Sequence, residues 1–181
     1  MSFLLKAVKF AADCHTGQFR KGEPDAPYVN HVLEVAFLIS EVGGVTDEEI
    51  LSAAVLHDTV EDTAASFDDV ESLFGERVAS IVREVTDDKS LPKKRRRQLQ
   101  IEHAPHLSGE ATLIKIADKT SNLADITRNP PRHWGLQRRR EYIEWGEKVV
   151  DSCKKVNEPL LVNFFRVLAE AKGSLKRKGR H

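Results

Sequence analysis

The sequence predicts one all-α domain, a compact helical bundle. Three observations carry that expectation. Apolar residues recur with the helical period in nearly every segment. No segment alternates strictly enough to read as a strand. Capping residues and glycines fall where the period breaks. A chain of 181 residues suits a single domain with its own core.

The elements follow in order. Residues 2–14 place Phe3, Leu4, Ala7, Val8, Phe10 and Ala11 on one helical face. Residues 28–41 repeat the pattern with Val32, Val35, Ala36 and Ile39. Thr46-Asp47-Glu48-Glu49 reads as a capping box, with the Thr46 hydroxyl on the Glu49 amide and the Glu49 carboxylate reaching back. The helix it opens runs through Ala53, Ala54 and Leu56 to His57. Ser66 is a second cap, ahead of Phe67, Val70 and Leu73. Gly75 stops that helix, and Val78, Ile81, Val82 and Val85 line a fresh one. Later helices are expected over 93–104, 109–126, 134–153 and 157–172. Residues 1–175 read as the domain and 176–181 as a frayed basic tail.

Composition narrows the function. Hydrophobic residues make up 40% and charged residues 31%, as in ordinary globular chains. No apolar run approaches the roughly 18 residues of a membrane span. The N-terminal stretch is broken by Lys6, Lys9 and Asp13, unlike a secretory signal, so a cytoplasmic protein is expected. Cys14 and Cys153 stand far apart, which excludes a disulfide framework and a cysteine-rich zinc module. Net charge is zero, yet residues 1–88 hold 6 Lys/Arg against 18 Asp/Glu and residues 89–181 hold 22 against 10. Such a contrast fits either solvated faces or a cleft where carboxylates hold a metal and cations meet a polyanion.

Three groups of residues carry chemistry. His57-Asp58-Thr59-Val60-Glu61-Asp62 follows the apolar run Ile50–Leu56. Burying polar groups there is costly unless they bind something. They read either as an exposed acidic helix end with a packed histidine or as a metal site, and four titratable groups in six residues favour the metal. Asp118 sits in a second apolar helix, Leu113–Asn122, in a polar stripe with Lys115, Asn122 and Asp125. A buried Lys115–Asp118 pair and a cation site both fit it. The third group is the loop His15–Gly22 with Arg20 and Lys21, followed by Pro27-Tyr28-Val29-Asn30-His31. Paired cations on a short loop suit phosphate or a stacked base. The basic run Lys93–Arg97 lacks neighbouring aromatics for base stacking and reads as an exposed helix start, so no nucleic-acid partner is expected.

His31, His57-Asp58 and Asp118, in that order, resemble the HD superfamily of metal-dependent phosphohydrolases. The flanking text is narrower. His15-x-Gly17-Gln18-x-Arg20-Lys21, Pro27-Tyr28-x-x-His31, His57–Thr63 and Lys115-Ile116-Ala117-Asp118-Lys119 resemble the hydrolase domain of RelA/SpoT proteins over about residues 2–170. Val85–Lys93 and Glu141-Tyr142-Ile143-Glu144-Trp145 are most similar to its stand-alone, single-domain type, the metazoan SpoT homologues.

The resemblance implies an all-α HD-domain bundle with one Mn²⁺ and a small-molecule substrate, the guanosine alarmone (p)ppGpp, whose 3′-pyrophosphate is hydrolysed. It implies His31, His57, Asp58 and Asp118 as ligands and Glu61 and Asp62 as catalytic carboxylates. Arg20, Lys21, Lys93, Asn122 and Tyr142 become substrate contacts. No membrane partner is implied. The two carboxylates would orient a water or take its proton, their like charges raising one pKa. Lys115, Arg20 and Lys21 would offset phosphate charge, or Arg20 would stack on the guanine. One departure stands out: the long proteins usually have Ala-Asp-Arg-Leu-His-Asn where this chain has Ala117-Asp118-Lys119-Thr120-Ser121-Asn122. Two other readings use the same residues: a nucleotidase or NADPH phosphatase, and a non-catalytic nucleotide-sensing module.

Overall fold

The computed structural model describes residues 2–22 and 26–177. The chain runs through α1 (Phe3–Cys14), α2 (Val29–Phe37), α3 (Glu48–Leu56), the short α4 (Thr59–Asp62), α5 (Phe67–Phe74), α6 (Glu76–Val85), α7 (Lys93–His103), α8 (Gly109–Arg128), α9 (Leu136–Ser152) and α10 (Glu158–Arg177). Among the described residues there is no strand, only an isolated antiparallel bridge between Phe19 and Pro27.

Two helices organise the core. α3 buries every residue from Ile50 to Leu56, because α1, α2 and α6 surround it. A helix apolar on all sides can sit only at such a centre. α8 buries every residue from Ala111 to Ser121 against α2, α6, α9 and α10. Two of its threonine hydroxyls are satisfied locally: Thr112 donates to the Ser108 carbonyl at 2.7 Å and Thr120 to the Ile116 carbonyl at 2.8 Å. Buried polar groups are tolerated when bonded in this way.

Local signals set the helix ends, with one correction. Asp47, not Thr46, caps α3: its Oδ1 accepts the amides of Glu49 at 2.9 Å and Ile50 at 3.3 Å. The Asp47 carboxylate, one residue closer to the helix, accepts two open amides on one oxygen. Ser66 forms a capping box with Asp69 at the start of α5. Gly75, at φ 87°, ends α5 and opens α6 in a conformation that favours glycine. The helix expected over 28–41 stays α-helical to Phe37 and widens into a π turn at Leu38–Val42. α10 continues through Lys176 and Arg177, the first residues of the expected tail; 178–181 lie outside the described residues. No described helix is long and apolar enough to cross a membrane.

Candidate metal centre and substrate cavity

α3 ends at Leu56 and α4 begins at Thr59, so His57 and Asp58 occupy the turn between them. His31 enters from the first turn of α2 and Asp118 from the middle of α8. One ligand atom from each of His31, His57 and Asp118 lies within 4.8 Å of the other two. Asp58 adds Oδ2 at 3.1 Å from His57 Nε2 and 3.6 Å from His31 Nε2. All four expected ligands therefore converge.

The surrounding bonds turn their lone pairs inward. His57 Nδ1 lies 2.8 Å from the Ala54 carbonyl, which can only accept, so Nδ1 carries a proton. His57 Nε2 is buried and has no hydrogen-bond partner. His31 Nε2 lies 3.3 Å from Asp118 Oδ1. Tyr28 Oη donates to Asp58 Oδ2 at 2.5 Å, while Asn122 Nδ2 donates to Asp118 Oδ1 at 2.5 Å and Lys119 Nζ to Oδ2 at 2.8 Å. Two imidazoles and two carboxylates this deep fit a divalent ion, whose charge offsets theirs and occupies the orphaned nitrogen.

Two sequence expectations change here. The cation paired with Asp118 is Lys119, not Lys115. Lys115 Nζ is buried and donates to the Val85 carbonyl at 3.1 Å, outside the main cavity, so it does not offset phosphate charge. At i+1 from Asp118, Lys119 folds back along the helix, whereas Lys115 lies on the α6 side.

A cavity of about 600 Å³ opens beside the ligands. Glu61 and Asp62 line its floor, both carried by α4. Glu61 Oε2 accepts the Asp87 amide at 2.9 Å, and Arg96 Nη1 lies 3.6 Å from Oε1. Burial pushes the Glu61 carboxyl up to about 7; the Asp87 amide opposes this and Asp58 adds to it. The dominant cause is therefore burial rather than the like charge of Asp62. Asp62 pairs with Lys89.

Arg20, Lys21, Lys93, Asn122 and Tyr142 all line the same cavity. Gly17, at φ 77°, turns the Arg20–Lys21 loop, and Gly22 lets it approach α8, since a Cβ there would meet the Asn129 carbonyl oxygen at 1.7 Å. Arg20 is held by Asp125, its Nε at 3.0 Å and Nη2 at 2.9 Å from Oδ2. Lys93 stands in a field of Arg97, Lys21, Arg138 and Arg96; burial and these charges hold its ammonium below the ordinary value.

Sequence reasoning missed Arg96, Arg97, Trp134 and Trp145, which also line the cavity. A signal was available: Lys93, Arg96 and Arg97 are spaced i, i+3, i+4 and share one face of α7. Arg97 lies over Tyr142 at 5.4 Å and over Trp145 at 5.0 Å, and Lys119 over Trp145 at 4.5 Å. The aromatics that the basic run lacks in sequence reach it from α9. Anionic and aromatic parts of one ligand could thus be held together above the ion site.

The sequence matches the HD domain family over residues 7–143. It is 49% identical to the guanosine-3′,5′-bis(diphosphate) 3′-pyrophosphohydrolase MESH1 of Xenopus tropicalis, over 88% of this chain and 89% of that one. It is 50% identical to the protein of the same name in Danio rerio, over 85% and 86%. A solved structure, described as a metazoan ortholog of SpoT that hydrolyzes ppGpp and plays a role in starvation responses, superposes with a TM-score of 0.91 at 46% identity, covering 94% of this chain and 96% of its own.

Proposed function

As the chain belongs to the HD domain family, we propose that it hydrolyses the 3′-pyrophosphate of guanosine 3′,5′-bis(diphosphate), giving GDP and pyrophosphate. We take residues 1–175 as one metal-dependent hydrolase domain. The carrying observation is that a buried His/His/Asp/Asp set faces a cavity containing a carboxyl poised near neutrality and a wall of cations and aromatics. The names of its relatives support the substrate.

His31, His57, Asp58 and Asp118 would hold one divalent ion, which we assign as Mn²⁺ because mixed nitrogen and oxygen donors suit it better than Mg²⁺. When bound, that ion supplies Lewis acidity to the phosphoryl group and to the attacking water. Glu61, ionised above pH 7, takes a proton from that water, and the neighbouring Asp62 orients it. The water oxygen bonds to the phosphorus attached to O3′. The bond from that phosphorus to O3′ breaks, and O3′ takes up a proton to leave as the ribose hydroxyl. Lys21, Lys93 and Arg20 bind phosphate charge, Asn122 donates at the rim of the site, and Tyr142 packs on the nucleoside. Of the Lys93–Arg97 run, Lys93, Arg96 and Arg97 serve this cavity rather than a nucleic acid. Free Cys14 and Cys153 suit the reducing cytoplasm, where we place the protein.

The test strips the protein with chelator, restores Mn²⁺ and follows ppGpp by chromatography beside NADPH and deoxynucleotides. Metal-dependent release of pyrophosphate with GDP supports the assignment. Phosphate released only from another nucleotide overturns the substrate and retains the metal site. Turnover of nothing moves the weight to a nucleotide-sensing module.

A further inference from the structure

Beneath the ligand set, a chain of hydrogen bonds leads away from His31. Ser121 Oγ donates to Glu34 Oε2 at 2.6 Å. His31 Nδ1 lies 3.0 Å from the same Ser121 Oγ. A hydroxyl has a single hydrogen, and Glu34 takes it. The contact with His31 therefore runs from Nδ1–H to the Ser121 lone pair. In the neutral imidazole, that leaves His31 Nε2 unprotonated, 3.3 Å from Asp118 Oδ1 and 3.6 Å from Asp58 Oδ2. His31 is 2% exposed and Ser121 0%, so water does not provide an alternative partner.

We propose that Glu34 and Ser121 are positioning residues that fix His31 in the ligating tautomer and raise its affinity for the ion. The inference rests on the metal-site reading above. His57 is fixed differently, by the Ala54 carbonyl of its own helix. A main-chain carbonyl only accepts, so the His57 tautomer is set by the fold. A serine hydroxyl can reverse, so the His31 tautomer depends on what holds the serine. Glu34, one turn beyond His31 on α2, does that. The relay is built across α2 and α8.

Partners that orient a ligating imidazole are worth about 10–100-fold in metal affinity. Ser121→Ala removes the acceptor, and Glu34→Ala frees the hydroxyl to turn and donate to Nδ1. Both variants should bind Mn²⁺ about 10–100-fold more weakly in a chelator competition. The second leaves α8 untouched, in case the first folds poorly. Ser121→Thr keeps the hydroxyl and should restore most of the affinity. ¹⁵N-histidine spectra of the metal-free protein provide a readout independent of activity. Wild type should show His31 protonated at Nδ1 and bare at Nε2, with that signature lost in both alanine variants. Unchanged Mn²⁺ affinity in both alanine variants overturns the proposal. Weaker binding with an unchanged His31 tautomer also overturns it, since the effect would then be general packing. A wild-type protein that takes up no divalent ion overturns the metal-site reading and the proposal with it.

Discussion

The Asp87 backbone amide donates to Glu61 Oε2 at 2.9 Å. This bond joins α4, which continues from the histidine–aspartate turn, to the segment between α6 and α7. The segment is braced in turn: Gln100 Nε2 on α7 donates to Asp87 Oδ2 at 2.7 Å, and Lys115 on α8 holds the Val85 carbonyl at 3.1 Å. Glu61 is therefore braced by elements outside the candidate metal site. That brace comes from outside the candidate ligand set, which lets the role of Glu61 be tested separately from theirs.

Glu61→Gln should keep the metal and lose turnover. The amide retains an oxygen for the Asp87 N–H but cannot accept a proton from water. A fall in kcat of about 10²-fold or more is expected, the scale of general-base help. Metal content by elemental analysis should match wild type. The pH profile follows from the same group: ionised Glu61 is the active form, so kcat should rise through about pH 7 on the acid side. A rate at pH 5.5 equal to that at pH 8 would remove Glu61 as the base.

The raised Glu61 carboxyl also costs stability. Its folded value lies near 7, above the 4.5 of a free glutamate, so the folded state favours the proton. Its contribution is greatest below pH 4.5, declines as pH rises through 7, and is lost above that. In metal-free protein, Glu61→Gln should therefore raise stability at pH 8 by about 1–3 kcal/mol and change little at pH 5. Urea melts at both pH values check this. Lower stability of the variant at pH 8 would show that the charge is well accommodated.

The sequence makes this site legible where a spacing repeats along one helix and illegible where the partner comes from elsewhere. His57-Asp58 with Glu61-Asp62 sits in six residues, and the four candidate ligands lie close together. Lys115 and Lys119 show the opposite. Both lie one or three residues from Asp118, and only packing against α6 decides that Lys115 turns to Val85 and leaves Asp118 to Lys119. The Lys93–Arg97 run reads as a solvated helix start because the aromatics that give it a wall lie some 45 residues later, in Tyr142 and Trp145. The Thr46 and Asp47 caps differ by one position, which sequence spacing resolves poorly.

Metal removal should destabilise the chain measurably. Four candidate donors meet in a largely buried space, and Lys119 offsets only the charge of Asp118. Mn²⁺ at 100 times its Kd should add about 2.7 kcal/mol, lost on adding chelator. The Asp58→Ala and His57→Ala variants should melt at the same temperature with and without Mn²⁺. A full Mn²⁺-dependent shift in either variant would remove that residue from the ligand set.

Arg20→Ala has a consequence that sequence reading does not supply. Arg20 is bound to Asp125, with Nε and Nη2 both on Oδ2 while Nη1 is buried and unpartnered. Removing Arg20 takes a cation from the cavity and also leaves the Asp125 carboxylate facing a polyanionic substrate. KM for the nucleotide should rise by more than loss of one contact, about 10-fold or more, with kcat little changed. Arg20→Ala with Asp125→Ala should recover part of that loss, because the unpaired negative charge is gone. The two effects are then non-additive, as expected for residues in direct contact. Strict additivity of the two substitutions in kcat/KM would mean that Asp125 does not face the ligand. An unchanged KM in Arg20→Ala alone would place the phosphates on the Lys21 and Lys93 side of the cavity.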